Sequence, residues 1–137
     1  MSAAAQDREV EAARWLRYAR EDLAAAKSPK DETALAARHR CMLAQQAAEK
    51  ALKAALILLD IDPPRTHNLQ LLVDLLPEDW PGSSVSGDFA RLSVWIVESR
   101  YPGDWPEATS ADADTAVTSA DGIVEAVASS IEHSSAE

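Results

Sequence analysis

From Leu35 to Leu59 the chain reads LAARHRCMLAQQAAEKALKAALILL, with no Gly or Pro and with apolar residues returning every three or four positions. At about 100° per residue, Cys41, Ala44, Ala48, Leu52, Ala55 and Leu59 fall on one face, which predicts a single long helix on which the other elements pack. Gln45 sits inside that apolar stripe. Along its flank, at the same spacing, run Arg38, Met42, Gln45, Glu49 and Lys53. A polar row bordering a buried face is either a set of paired structural groups or the wall of a site.

The same periodicity predicts the remaining elements. A first helix spans about Asp7 to Lys27, with Asp7 as a cap and Val10, Ala13, Leu16 and Leu23 on its inner line, broadened by Trp15 and Tyr18. Asp22 lies beside that line and needs a partner, since a helix interior gains nothing from Asp itself. Ser28-Pro29 is a start signal for the second helix, which then continues to about Asp60; so tight a connection makes the two helices antiparallel. Pro63-Pro64 stops the second helix. Thr66 is a plausible cap for a third in HNLQLLVDLLP, with Leu69, Leu72, Val73 and Leu76 inward. Residues 78–87 are loop-like by their Pro, Gly and Ser content. A fourth helix covers about Asp88 to Ser99, and Thr109-x-x-Asp112 resembles a capping box opening a fifth that runs to about Ile131. Within it Gly122 costs about 1 kcal/mol relative to Ala, unless a neighbouring helix needs close approach there. The expected organisation is a disordered N-terminus over 1–6, one domain over 7–131 and a C-terminal tail over 132–137. The fold class is all-α, an up-and-down bundle of four to five helices.

Charge narrows the partners. The net charge is −10, and residues 102–137 hold no Lys or Arg against eight Asp and Glu. Such a surface does not draw the backbone of long nucleic acid by general attraction, which needs a basic stripe. No apolar run is long enough to span a membrane and no signal-peptide pattern opens the chain, so a cytoplasmic protein is expected. The single Cys41 has no internal disulfide partner, and its place in the stripe predicts a buried, inert thiol.

Familiar catalytic constellations are missing from the sequence. His39, His67 and His133 are far apart and show no two-ligand spacing, so no metal is expected, and there is no Gly-rich phosphate loop among only four Gly. What remains is a polar set. Glu49 and Lys53 form an i, i+4 pair in the favourable order, enough to explain them if exposed. Gln45 is harder to dismiss, because a buried amide without partners loses roughly 1–3 kcal/mol. His67 follows PPRT and is either a capping-region residue or a ligand contact. Arg100-Tyr101, at the exit of the fourth helix, either pins the loop or faces a ligand.

CMLAQQAAEKALKAAL, preceded by WLRYAREDLAAA and followed by PPRTHNLQLL and SRYPGDWPE, resembles the HEPN domain family of small prokaryotic helical proteins, in the right order from about Trp15 to Ile131. The resemblance implies an up-and-down bundle, commonly a homodimer, association with a small nucleotidyltransferase of the MNT type in a toxin–antitoxin-like pair, nucleotide binding and, in many branches, metal-independent RNA cleavage. The cleaving branches share an Arg followed, after four to six residues, by a His. Here the three histidines would require Arg at 32–34, 60–62 or 126–128, and none of those positions is Arg. The expected function is therefore a non-catalytic nucleotide-binding and interaction module without cofactor. Its ligand-binding residues would be Gln45, Glu49, Lys53, His67, Arg100 and Tyr101. Alternatives are an RNase using His67 and Arg100 as an unusual pair, and a purely structural interaction protein. Leu43, Ile57 and Leu58, on the outer side of the second helix, favour self-association.

Overall fold

A computed structural model describes residues 2–27, 35–80, 89–98, 103 and 106–136. Five α-helices follow in order: α1 (Ala3–Ala26), α2 (Ala37–Leu58), α3 (Leu69–Asp74), α4 (Phe89–Glu98) and α5 (Ser110–Ala136), with no strand among the described residues. The protein is all-α, a helical bundle, and α2 is its axis because it packs against all four of the others. More than half of α2 is buried, including the expected Cys41, Ala44, Ala48, Leu52 and Ala55, and also Ala47, Ala51 and Ala54. Alanine at so many positions lets neighbouring backbones approach closely, and α2 can therefore be enclosed on several sides. Leu59, expected at the end of the stripe, is instead 41% exposed.

Contacts fix the course of the helices. Asp22 pairs with Lys50, Trp15 lies beside Lys53, and Arg40 donates through Nε to the Ala26 carbonyl at 2.9 Å. As positions in α1 rise those in α2 fall, so the two are antiparallel, and Asp22 has the partner its position demanded. Arg40 also reaches Asp114 near the start of α5 at 3.0 Å. One buried guanidinium thus closes the carbonyl end of α1 and ties it to the start of α5.

Several boundaries differ from expectation for local reasons. Helix α1 starts at Ala3, because the Ser2 hydroxyl accepts from Ala5 N–H at 3.1 Å and serves as the cap in place of Asp7. Its inner face is Ala12, Leu16, Ala19, Leu23 and Ala26, whereas Val10 is 61% exposed and Ala13 faces outward. In an alanine-rich helix the apolar contrast between adjacent lines is small, and packing selects the line. Residues 35 and 36 are not helical, so α2 opens at Ala37 rather than near Pro29; the Ser28-Pro29 signal lies outside the described residues. Its end is not set by the prolines. Asp60 takes φ 61°, Ile61 N–H bonds back to Leu56 O at 2.9 Å and Asp60 N–H to Ile57 O at 3.0 Å, the paired bonds of a Schellman motif. Helix α3 is capped by Asn68, whose Oδ1 accepts from Leu71 N–H, while Thr66 Oγ1 accepts from Asn68 N–H one step earlier. The capping box of α5 forms in both directions, Thr109 N–H to Asp112 Oδ2 at 2.9 Å and Asp112 N–H to Thr109 Oγ1 at 3.0 Å. That helix continues to Ala136, five residues beyond Ile131. No neighbour approaches Gly122: a Cβ there would meet nothing within 4 Å. Trp80, in a stretch whose composition predicts loop, is buried at the end of the core.

Candidate functional site

The polar row of α2 turns inward. Gln45 is fully buried, Glu49 is 5% and Lys53 9% exposed, while Arg38 stays in solvent. Their spacing of four residues stacks the three side chains along one edge of the helix, where Glu49 can reach both neighbours. Glu49 Oε2 accepts from Lys53 Nζ at 3.1 Å and Oε1 accepts from Gln45 Nε2 at 3.1 Å. The Lys53 ammonium lies 6.0 Å from the centre of the Trp15 ring, a cation–π distance, and the Trp15 indole donates to Glu11 Oε1 at 3.1 Å.

The fourth member arrives from the loop before α3. His67 Nδ1 is 2.7 Å from Glu49 Oε1, and the His67 carbonyl accepts from Gln45 Nε2 at 3.2 Å. Residue 67 is thus held at its ring and at its backbone by two consecutive turns of α2. The flanking chain is fixed as well: Thr66 N–H bonds to Pro64 O at 2.9 Å, and Leu69 N–H to Ser93 Oγ of α4 at 3.0 Å. Gln45 completes its own set by accepting from Gln46 Nε2 at 2.9 Å. Its amide has one orientation consistent with these partners, because a flip would set its oxygen against a carboxylate and a carbonyl. No buried side-chain nitrogen or oxygen among the described residues lacks a partner.

Burial disfavours the charge on Glu49, but the hydrogen bonds from His67, Gln45 and Lys53 more than offset it and hold the carboxyl below its ordinary value. An ionised Glu49 only accepts, so the His67 contact is a donation from Nδ1–H. The imidazole remains accessible, with the His67 side chain 55% exposed, whereas the Glu49 side chain beneath it is 7% exposed. A buried carboxylate therefore grips one edge of a ring that is half exposed.

Four of the residues expected to bind ligand, Gln45, Glu49, Lys53 and His67, come together in this cluster; Arg100 and Tyr101 lie outside the described residues. His67 does not open α3 but precedes it by two residues. The sequence alone carries no signal for the roles of Trp15, Gln46 and Arg40. Trp15 and Gln46 flank the cluster, a placement that depends on α1 packing and on a neighbouring turn. Arg40 stands within a helical run and carries no periodic signal for its cross-helix role. Among the described residues no group of three His, Cys, Asp or Glu side chains is placed to hold a metal, and no helix is long and apolar enough to cross a membrane.

Among the described residues, openings also lie elsewhere. One of about 90 Å³, between α4 and α5, is lined by Arg91, Trp95 and Asp112, with the Arg91 guanidinium 4.9 Å from the Trp95 ring. A broader groove of about 380 Å³ between α1 and α5 has Ala13, Leu16 and Ala24 along α1 and Ile131 opposite.

Comparison with known proteins agrees with this architecture. The HEPN domain matches residues 12–131. Among solved structures, that of TT1696 from Thermus thermophilus is similar at 25% identity and a TM-score of 0.60, covering 94% of this chain and 99% of that one. No curated protein matches the sequence. With the family match spanning nearly all of a bundle built around α2, the chain belongs to the HEPN domain family.

Proposed function

We infer that this HEPN protein is a non-catalytic module that binds a nucleotide and acts through protein partners: a second copy of itself and a small MNT-type nucleotidyltransferase, as in a toxin–antitoxin pair. The observation that carries the reading is the Gln45–Glu49–Lys53 row, which spends three buried polar side chains on His67 and leaves its ring half exposed. Burying such groups is costly, and scaffolding alone could be had from apolar residues of similar size. In this reading His67 touches the ligand, and Gln45, Glu49 and Lys53 set its position. Arg100 meets a phosphate and Tyr101 stacks on the base, as the sequence resemblance implies. The missing Arg-to-His spacing supports a binding rather than an RNA-cleaving role.

Self-association has further exposed apolar residues to draw on. Leu43, Ile57 and Leu58 are partly buried against the core, whereas Leu71 on α3 and Leu75 at its C-cap are 45% and 40% exposed. Apolar side chains repeated at one helical turn on a short surface helix favour a partner there. Titration with ATP and GTP, followed by calorimetry, tests the reading. Saturable binding that weakens about tenfold in His67→Ala, a loss of about 1.4 kcal/mol, is the expected result. A flat titration of the native protein overturns nucleotide binding, RNA cleavage at stoichiometric protein overturns the non-catalytic reading, and a monomer at micromolar concentration by ultracentrifugation overturns the dimer.

A further inference from the structure

The geometry points to a hydroxyl-recognising imidazole: whenever the His67 ring carries a single proton, Glu49, held in turn by Gln45 and Lys53, keeps that proton on Nδ1, leaving Nε2 to accept from a sugar hydroxyl of the ligand. This deepens the nucleotide reading and rests on it for the identity of the sugar as a ribose. Donor and acceptor accounting fixes the tautomer. A carboxylate has no proton to give, so a neutral imidazole 2.7 Å from Glu49 Oε1 can engage it only as Nδ1–H. A neutral ring has a single N–H, and Nε2 then carries a bare lone pair. Glu49 has no slack with which to release the ring, because Lys53 occupies Oε2 and Gln45 shares Oε1. Nor can the residue turn freely, since Gln45 also holds its carbonyl at 3.2 Å.

The consequence is selectivity for a kind of ligand atom. A phosphate oxygen brings lone pairs toward a lone pair, whereas a hydroxyl brings the missing proton. With the ring 55% exposed, that acceptor is within reach of a small molecule. Glu49 is therefore a positioning residue: it touches no ligand and sets which ring nitrogen does the accepting.

Nitrogen-15 labelled histidine in the full chain, observed through two-bond proton–nitrogen correlations at mildly alkaline pH, reads the tautomer directly. His67 is expected to show a protonated Nδ1 and a pyridine-type Nε2, its signals assigned by their loss in His67→Gln. A ring protonated on Nε2 overturns the inference. In the double variant Glu49→Leu, Lys53→Met, which removes the carboxylate without stranding its ammonium partner, the ring is expected to shift toward Nε2–H; an unchanged tautomer in the folded variant also overturns it. If that variant does not fold, the native spectrum still decides. For the ligand, adenosine 5′-monophosphate is expected to move the Nε2 resonance, its 2′,3′-dideoxy analogue, which has no sugar hydroxyl, to bind about tenfold more weakly, and inorganic phosphate to leave Nε2 unmoved. Equal shifts from adenosine 5′-monophosphate and its dideoxy analogue, or a shift from phosphate alone, overturn hydroxyl recognition. If neither ATP, GTP nor adenosine 5′-monophosphate shifts any resonance, the nucleotide reading fails and the ribose assignment with it, while the tautomer stands or falls on its own spectrum.

Discussion

At the scale of single residues, the buried amide of Gln45 carries the most consequence. It donates twice, to Glu49 and to the His67 carbonyl, and accepts once from Gln46. In Gln45→Leu the side-chain volume is nearly kept but the His67 carbonyl and one Glu49 oxygen lose a donor. Chemical denaturation should show a loss of about 1–3 kcal/mol; a neutral outcome would mean that water replaces the amide without cost. Cys41 makes the opposite case. Burial is the main cause that pushes its thiol up to about 11, with Asp112 adding to the effect, so at neutral pH it is a thiol rather than a nucleophilic thiolate. A thiol-specific reagent should therefore react with Cys41 only as fast as the protein opens, and prompt labelling of the native fold would contradict its burial. Both residues are legible in the sequence, because each stands in an apolar stripe where its type has only a few outcomes. That the partner of Gln45 is a backbone carbonyl of residue 67 is not legible there, since only the folded loop brings that carbonyl to α2.

At the scale of elements, helix ends and small residues decide the details. The α5 capping box is legible because Thr109 and Asp112 satisfy each other within four residues. The end of α2 is not, because its Schellman turn uses Asp60 at φ 61° where glycine is the usual signal. Likewise Asn68 and Thr66 are both competent caps two residues apart, and the Ser93 hydroxyl on Leu69 N–H belongs to a helix still to come. Periodicity misplaces the inner line of α1 for want of contrast among its alanines, whereas it places Leu69, Leu72 and Leu76 around α3 correctly. Gly122 gives a clean test at this scale. With open space where its Cβ would go, Gly122→Ala should raise stability by about 0.5–1 kcal/mol through helix propensity alone, measured by thermal or urea unfolding. A loss of stability would show that something does approach α5 there.

At the scale of the whole molecule, an alanine-rich axis enclosed by four helices leaves little room for polar side chains, yet α2 buries Arg40, Gln45, Glu49 and Lys53. Arg40 joins helix ends, while Gln45 and Glu49 hold His67 and Lys53 holds Glu49. This gives the fold an acid-sensitive centre. Glu49 is held below its ordinary value despite burial, and Asp112 is held below its own chiefly by the Thr109 backbone hydrogen bond. Carboxyls of this kind stabilise the fold at pH above their unfolded-chain values, and that stabilisation is lost as pH falls through their lower folded values. Denaturation midpoints should therefore be steady near neutrality and decline below about pH 4.5, less steeply in Glu49→Gln. Everything proposed for this site depends on the buried row being coupled to one half-exposed imidazole. A double-mutant cycle with Glu49→Ala and His67→Ala, read by urea denaturation, tests that coupling most directly, because the strain left on Gln45 and Lys53 is common to both Glu49 arms and cancels. A coupling of about 1 kcal/mol between the two sites is expected; losses that add within about 0.3 kcal/mol would contradict it.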